Sequence, residues 1–150
     1  MLQLTIDQDI KSAMLAKNSV RLRGLRAIKA ALLQAKTEKG ASEILSSDTE
    51  IKVLQKLVKQ RKESADIYLS QNRPDLEKIE NEELEVIGAY LPKQMNREEI
   101  SVHVKNVIAN AGTVHAKDMG KIIGLVNKDL AGKADGKIIS EVVKELLAAL

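Results

Sequence analysis

The sequence predicts an all-α protein: an N-terminal helical bundle with a long helical hairpin, then a small C-terminal three-helix domain. Three observations carry that prediction. Helix formers dominate the 150 residues, while glycine and proline number only eight and two. Aromatic residues are limited to Tyr68 and Tyr90, whereas sandwich and barrel strands draw on aromatic and β-branched side chains. Apolar residues recur at three- and four-residue spacing between marked helix starts and stops.

The elements follow in order. A first helix is expected over Thr5 to Lys17. A second starts near Ser19 and stops at Gly40, where left-handed φ costs glycine nothing. After a Ser-rich loop, Ser47 or Asp48 caps a third helix that runs to about Ser70. Asn72-Arg73-Pro74-Asp75 reads as a tight turn, with Pro74 at the first position of a fourth helix. That helix ends at Tyr90-Leu91-Pro92, because the residue before proline avoids the α region. Asn96 with Glu99 has capping-box spacing and opens a fifth helix ending at Gly112. A sixth spans about Lys117 to Leu130, and Asp135 caps a seventh. The change of style at Pro92 divides the chain into domains of residues 1–92 and 93–150.

The third and fourth helices carry the sharpest pattern. Ile51, Leu54, Leu57, Val58, Ala65, Tyr68 and Leu69 make one apolar arc, with Lys52, Lys56 and Lys59 opposite and Arg61 in its middle. On the fourth helix Leu76, Ile79, Val86, Ile87 and Tyr90 form the arc, with Glu83 in its middle. Folding the two about Arg73 sets Arg61 and Glu83 level. A charge on an apolar stripe is rarely tolerated unpaired, since isolated burial costs several kcal/mol. The pair therefore fixes the hairpin register, or else Arg61 reaches out to an anion.

Charge and composition exclude several function classes. The net charge is +3, with the basic surplus in residues 1–62 and an acidic stretch over 63–92. With no cysteine there is no disulfide framework, thiolate metal site or cysteine nucleophile. No apolar run approaches the roughly 18 residues that span a bilayer, so no membrane association is expected, and a cytoplasmic location is. The scarcity of rings removes the stacking platforms of common single-strand nucleic-acid binders. His103 and His115 match no metal spacing, so no metal, no cofactor and no catalytic residue is expected.

The sixth helix differs from the rest. Met119, Ile122, Ile123, Val126 and Leu130 take one face, while Gly120 and Gly124 lie on the other beside Lys117, Lys121 and Lys128. Glycine inside a helix costs roughly 1 kcal/mol relative to alanine, so something must approach this backbone closely. Two occupants fit: another helix seated on a small-residue groove, or a sugar–phosphate backbone. Gly132-Lys133-Ala134-Asp135-Gly136-Lys137 follows as a basic loop opening the last helix, whose N-terminus attracts anions. It is no Walker loop and indicates no nucleotide hydrolysis.

The string KDMGKIIGLVNKDLAGKADGK (Lys117 to Lys137), preceded by KQRKES (Lys59 to Ser64) and EVIGAYLPKQM (Glu85 to Met95), resembles the GatB/YqeY family. The resemblance covers essentially the whole chain and is nearest to stand-alone YqeY-like members. It implies a helical N-terminal bundle and a C-terminal domain similar to the tail of the B subunit of tRNA-dependent Asn/Gln amidotransferase. In that enzyme the tail engages tRNA, while glutaminase and kinase chemistry sit elsewhere. The family's glycine–lysine motif falls on Gly120, Lys121, Gly124, Gly132, Lys133 and Gly136.

The expected function is that of a tRNA-binding accessory protein with no catalysis of its own, monomeric and cytoplasmic. Gly120 and Gly124 admit the RNA backbone, and Lys117, Lys121, Lys128, Lys133 and Lys137 neutralise phosphates, with Lys52, Lys56 and Lys59 extending the basic surface. Aminoacyl-tRNA synthetase or amidotransferase subunits are the protein partners this implies. The alternatives are a component of glutamine-dependent tRNA amidation, a carbon–nitrogen ligase with glutamine as amide donor, and a module whose glycine groove seats a partner helix. The chain shows neither an amidase-type Ser-Ser-Lys arrangement nor a nucleotide site.

Overall fold

The computed structural model describes residues 2–40, 44–112 and 114–150. Among these residues every regular element is helical: α1 (Leu2–Leu15), α2 (Ser19–Glu38), α3 (Ser47–Ser70), α4 (Pro74–Gly88), α5 (Arg97–Asn110), α6 (Met119–Asp129) and α7 (Gly136–Ala148). A single 3-10 turn, Ala116–Asp118, precedes α6. The Ser-rich loop between α2 and α3 lies partly outside the described residues. The chain divides into two compact units, residues 1–91 and 92–150.

Local chemistry sets the helix ends. The side chains of Asn18, Ser46, Asn96 and Asp135 each accept a backbone N–H in the first turn of α2, α3, α5 and α7. Asn96 and Glu99 complete a reciprocal capping box. The third helix is thus capped by Ser46, one residue before the expected Ser47 and two before Asp48. Gly40 and Gly112 follow α2 and α5 with φ of +100° and +77°, a region where a Cβ is strained. The fourth helix stops at Gly88, and Ala89 and Tyr90 form a turn ahead of Pro92.

In the first unit α3 and α4 form the antiparallel hairpin, α2 packs on its base and α1 packs on α2. The core joins Ile6 and Ala13 of α1, Leu25, Ile28 and Leu32 of α2, Leu54 and Leu57 of α3, and Ile87 of α4. Gly24 lets α2 approach α4: a Cβ there would stand 2.7 Å from Cβ and Cγ1 of Val86. Leu69 and Ile79, expected on buried arcs, are 62% and 38% exposed. They lie toward the hairpin tip, beyond the core at its base, where each helix has little but its partner to cover it.

Arg61 and Glu83 meet as the register requires, with Arg61 Nε donating to Glu83 Oε2 at 2.7 Å. The arrangement is larger than a pair. Arg23 of α2 places Nε 3.1 Å from Glu83 Oε1 and donates from its terminal nitrogen to Glu82 at 2.9 Å, and Glu80 stands 3.7 Å from Arg61 Nε. Glu83, only 12% exposed, is thus clamped between arginines of two other helices.

Tyr90 hydrogen-bonds Asp9, binding the end of α4 to α1. Burial first, and then the bond to Asp9, pushes the Tyr90 hydroxyl above its ordinary value of 10.0. A raised folded pKa means this contribution is fully present below the ordinary tyrosine value and is lost as pH rises through the folded one. Tyr90→Phe should cost about 1 kcal/mol at neutral pH, and the gap to the wild type should close in alkaline solution. Denaturation of both proteins across that range checks it; a gap constant with pH contradicts it.

Candidate nucleic-acid interface

The second unit is a three-helix domain. Its core contains Ile100 and Val104 of α5, Ile122 and Val126 of α6, and Ile139, Val142, Val143 and Leu147 of α7, with Leu130 and Ala134 from the connecting loop. Ile122, Ile123, Val126 and Leu130 are spent on this core, whereas Met119, expected on the same face, is 38% exposed at the start of α6; the glycine face turns outward. Gly120 and Gly124 are exposed, and a Cβ built on either would meet nothing within 4 Å. The helix that a small-residue groove would seat is therefore not supplied by the described residues. Gly24 makes the contrast: the same helix-interior glycine is explained there by Val86, whereas among the described residues nothing stands against Gly120 or Gly124.

Lys117, Lys121, Lys128, Lys133 and Lys137 are all exposed. Ion pairing in this unit uses other cations. Arg97 bonds Glu141 at 3.1 Å and also Glu145, and His103 Nε2 stands 3.2 Å from Asp129 Oδ2. The hydrogen bond to Glu141, then the charge of Glu145, raises the Arg97 guanidinium above its ordinary value. Arg97 is neutralised at home, while the five lysines have no ionic partner among the described residues.

The α6–α7 loop is built with care. Gly132 has φ of +77°, which demands glycine, and its carbonyl accepts a hydrogen bond from Gln94 Nε2 at 2.8 Å. The Lys133 carbonyl accepts from the Met95 N–H at 2.8 Å. Gly136 is less constrained, since a Cβ there would make only an ordinary contact of 3.8 Å with Asn127 Oδ1. At the α7 N-terminus the Asp135 carboxylate is the expected cap, accepting the Lys137 N–H at 2.8 Å.

The structure therefore brings the glycine pair and Lys121 and Lys128 onto one helix, with Lys117 in the turn before it and Lys133 and Lys137 beyond its end. Lys52, Lys56 and Lys59 are exposed on α3, in the other unit. Lys93 and Gln94 were not singled out by spacing, although EVIGAYLPKQM contains them. Among the described residues no cluster of three or more His, Asp or Glu is placed to hold a metal ion, and no helix is long and apolar enough to cross a membrane.

The family described as Yqey-like protein matches residues 3–147. A protein named Altered inheritance of mitochondria protein 41, mitochondrial, from Clavispora lusitaniae is 33% identical over 147 residues, covering 92% of this chain and 82% of its own. Its namesake from Pyrenophora tritici-repentis is 28% identical over 148 residues, covering 96% and 80%. The namesake from Vanderwaltozyma polyspora is 32% identical over 126 residues, covering 77% and 65%. These relatives are named as mitochondrial proteins, and that finding overturns the expected cytoplasmic location. A cysteine-free helical composition suits an organelle interior as well as the cytoplasm, so composition carried no information on the compartment. With a match over residues 3–147 on an all-helical fold, the chain belongs to the YqeY-like family.

Proposed function

We propose that the chain is a tRNA-binding accessory protein that contacts RNA through the glycine–lysine face of its C-terminal unit and carries no catalysis of its own. The names of its relatives support a mitochondrial setting. The carrying observation is that Gly120 and Gly124 weaken α6 with nothing against them among the described residues, beside exposed lysines that have no ionic partner there. Removing the Cβ admits a sugar–phosphate backbone against the helix, and the lysines neutralise its charge. Such contacts give affinity and shape selection with little base discrimination, in keeping with a chain almost devoid of rings.

The test is binding of the full chain to a tRNA transcript across a salt series. Five phosphate contacts give a log–log slope of about −4. Gly120→Ala/Gly124→Ala sharpens the result. The double variant should be more stable by about 1–2 kcal/mol, because neither Cβ meets an obstacle, and should bind RNA about tenfold more weakly. A stabilised variant with undiminished RNA affinity removes the reason given for the glycines. Binding that barely responds to salt favours a partner helix in the groove instead.

A further inference from the structure

The geometry points to the segment Pro92–Met95 as part of the same RNA-contacting surface, with Gln94 positioning the Gly132–Lys133 loop and Lys93 adding a phosphate contact; this rests on the tRNA reading above. Leu130 and Ala134 anchor the loop in the domain core, and the Lys133 N–H bonds the Leu130 carbonyl at 2.9 Å. Further restraints on its backbone come from a segment almost forty residues earlier. Gln94 Nε2 donates to the carbonyls of Gly132, at 2.8 Å, and of Pro92, at 2.9 Å, and Met95 donates to the carbonyl of Lys133. Two successive loop carbonyls are thereby tied down.

Gln94 is exposed, so core packing does not account for it; its amide serves the loop backbone. Met95 is half-buried and packs against the domain core, which anchors the segment. Lys93 sits between Pro92 and Gln94, exposed and without an ionic partner among the described residues. Ordering a free loop on binding weakens association, and a loop already ordered by Gln94 avoids that loss. Lys93 brings a further ammonium to the segment that holds Lys133.

The experiment compares the full-length wild type with Lys93→Ala, Gln94→Ala and Lys121→Glu/Lys133→Glu, using fluorescence anisotropy of a labelled tRNA transcript over a salt series. Melting followed by circular dichroism establishes that each variant folds. Gln94→Ala should bind about fivefold more weakly at every salt concentration with the slope unchanged, because no charge is lost. Lys93→Ala should reduce the magnitude of the slope by about one. If both variants keep wild-type affinity and slope while the double lysine variant loses binding, this inference is overturned and the tRNA reading stands. If the double lysine variant binds like the wild type, the tRNA reading fails and takes this inference with it. A folded Gln94→Ala protein that binds like the wild type, or weakens only through an altered slope, overturns the positioning role.

Discussion

Glu83→Gln is expected to lower the stability of the N-terminal unit by about 2 kcal/mol, against about 0.5 kcal/mol for Glu82→Gln. The two positions are neighbours in sequence, and both touch Arg23. Glu83 differs in being 12% exposed and in standing within ion-pair distance of both Arg23 and Arg61, at 3.1 and 2.7 Å, with a hydrogen bond from the second. Neutralising it leaves two half-buried guanidiniums facing an amide that offers one oxygen in place of two. Residual contacts to Glu82 and Glu80 keep the loss below the full cost of an orphaned buried charge. Glu82, 27% exposed, serves Arg23 at 2.9 Å and Lys78 at 3.9 Å, in wetter surroundings.

The sequence supplies the probe for this measurement. Tyr68 and Tyr90 are the only aromatic side chains that fluoresce, and both lie in residues 1–91. Tyrosine emission during denaturation therefore follows the first unit alone, while circular dichroism follows both. Equal losses from the two substitutions would show that Glu83 is not the hub of the clamp.

The Arg61–Glu83 bond was legible because each charge interrupts an apolar arc and the turn at Arg73 fixes their register by counting. Arg23 was not legible by that route. It comes from a helix whose offset from the hairpin no local turn specifies, so only tertiary packing places it on Glu83. Gly24 carried the same signal as Gly120 and Gly124, a glycine inside a helix, and spacing alone could not say which would meet a neighbour. Leu69 and Ile79 show the limit of periodicity: an arc identifies the face that turns inward, but burial also needs a third element to cover it. Gln94 was hidden for a related reason. A polar residue in a loop has no period, and its bond to the Gly132 carbonyl joins segments that only the folded domain brings together.

Reversing charge on the glycine–lysine face should have the largest effect on binding. Lys121→Glu/Lys133→Glu is expected to weaken tRNA binding about a hundredfold at moderate salt and to bring the slope from about −4 to about −2. Both side chains are exposed and without ionic partners among the described residues, so the melting temperature should move little. Affinity and stability are separable here because these lysines, unlike Arg97, form no ion pair among the described residues. The same variant distinguishes the two occupants that the open glycines admit. A partner helix would hold α6 mainly by close backbone packing, so reversing two flanking charges would shift its affinity modestly and leave it nearly insensitive to salt. A phosphate backbone has no such reserve: near an anionic polymer each glutamate replaces a released counterion with a repulsion, and the loss must grow as salt is lowered.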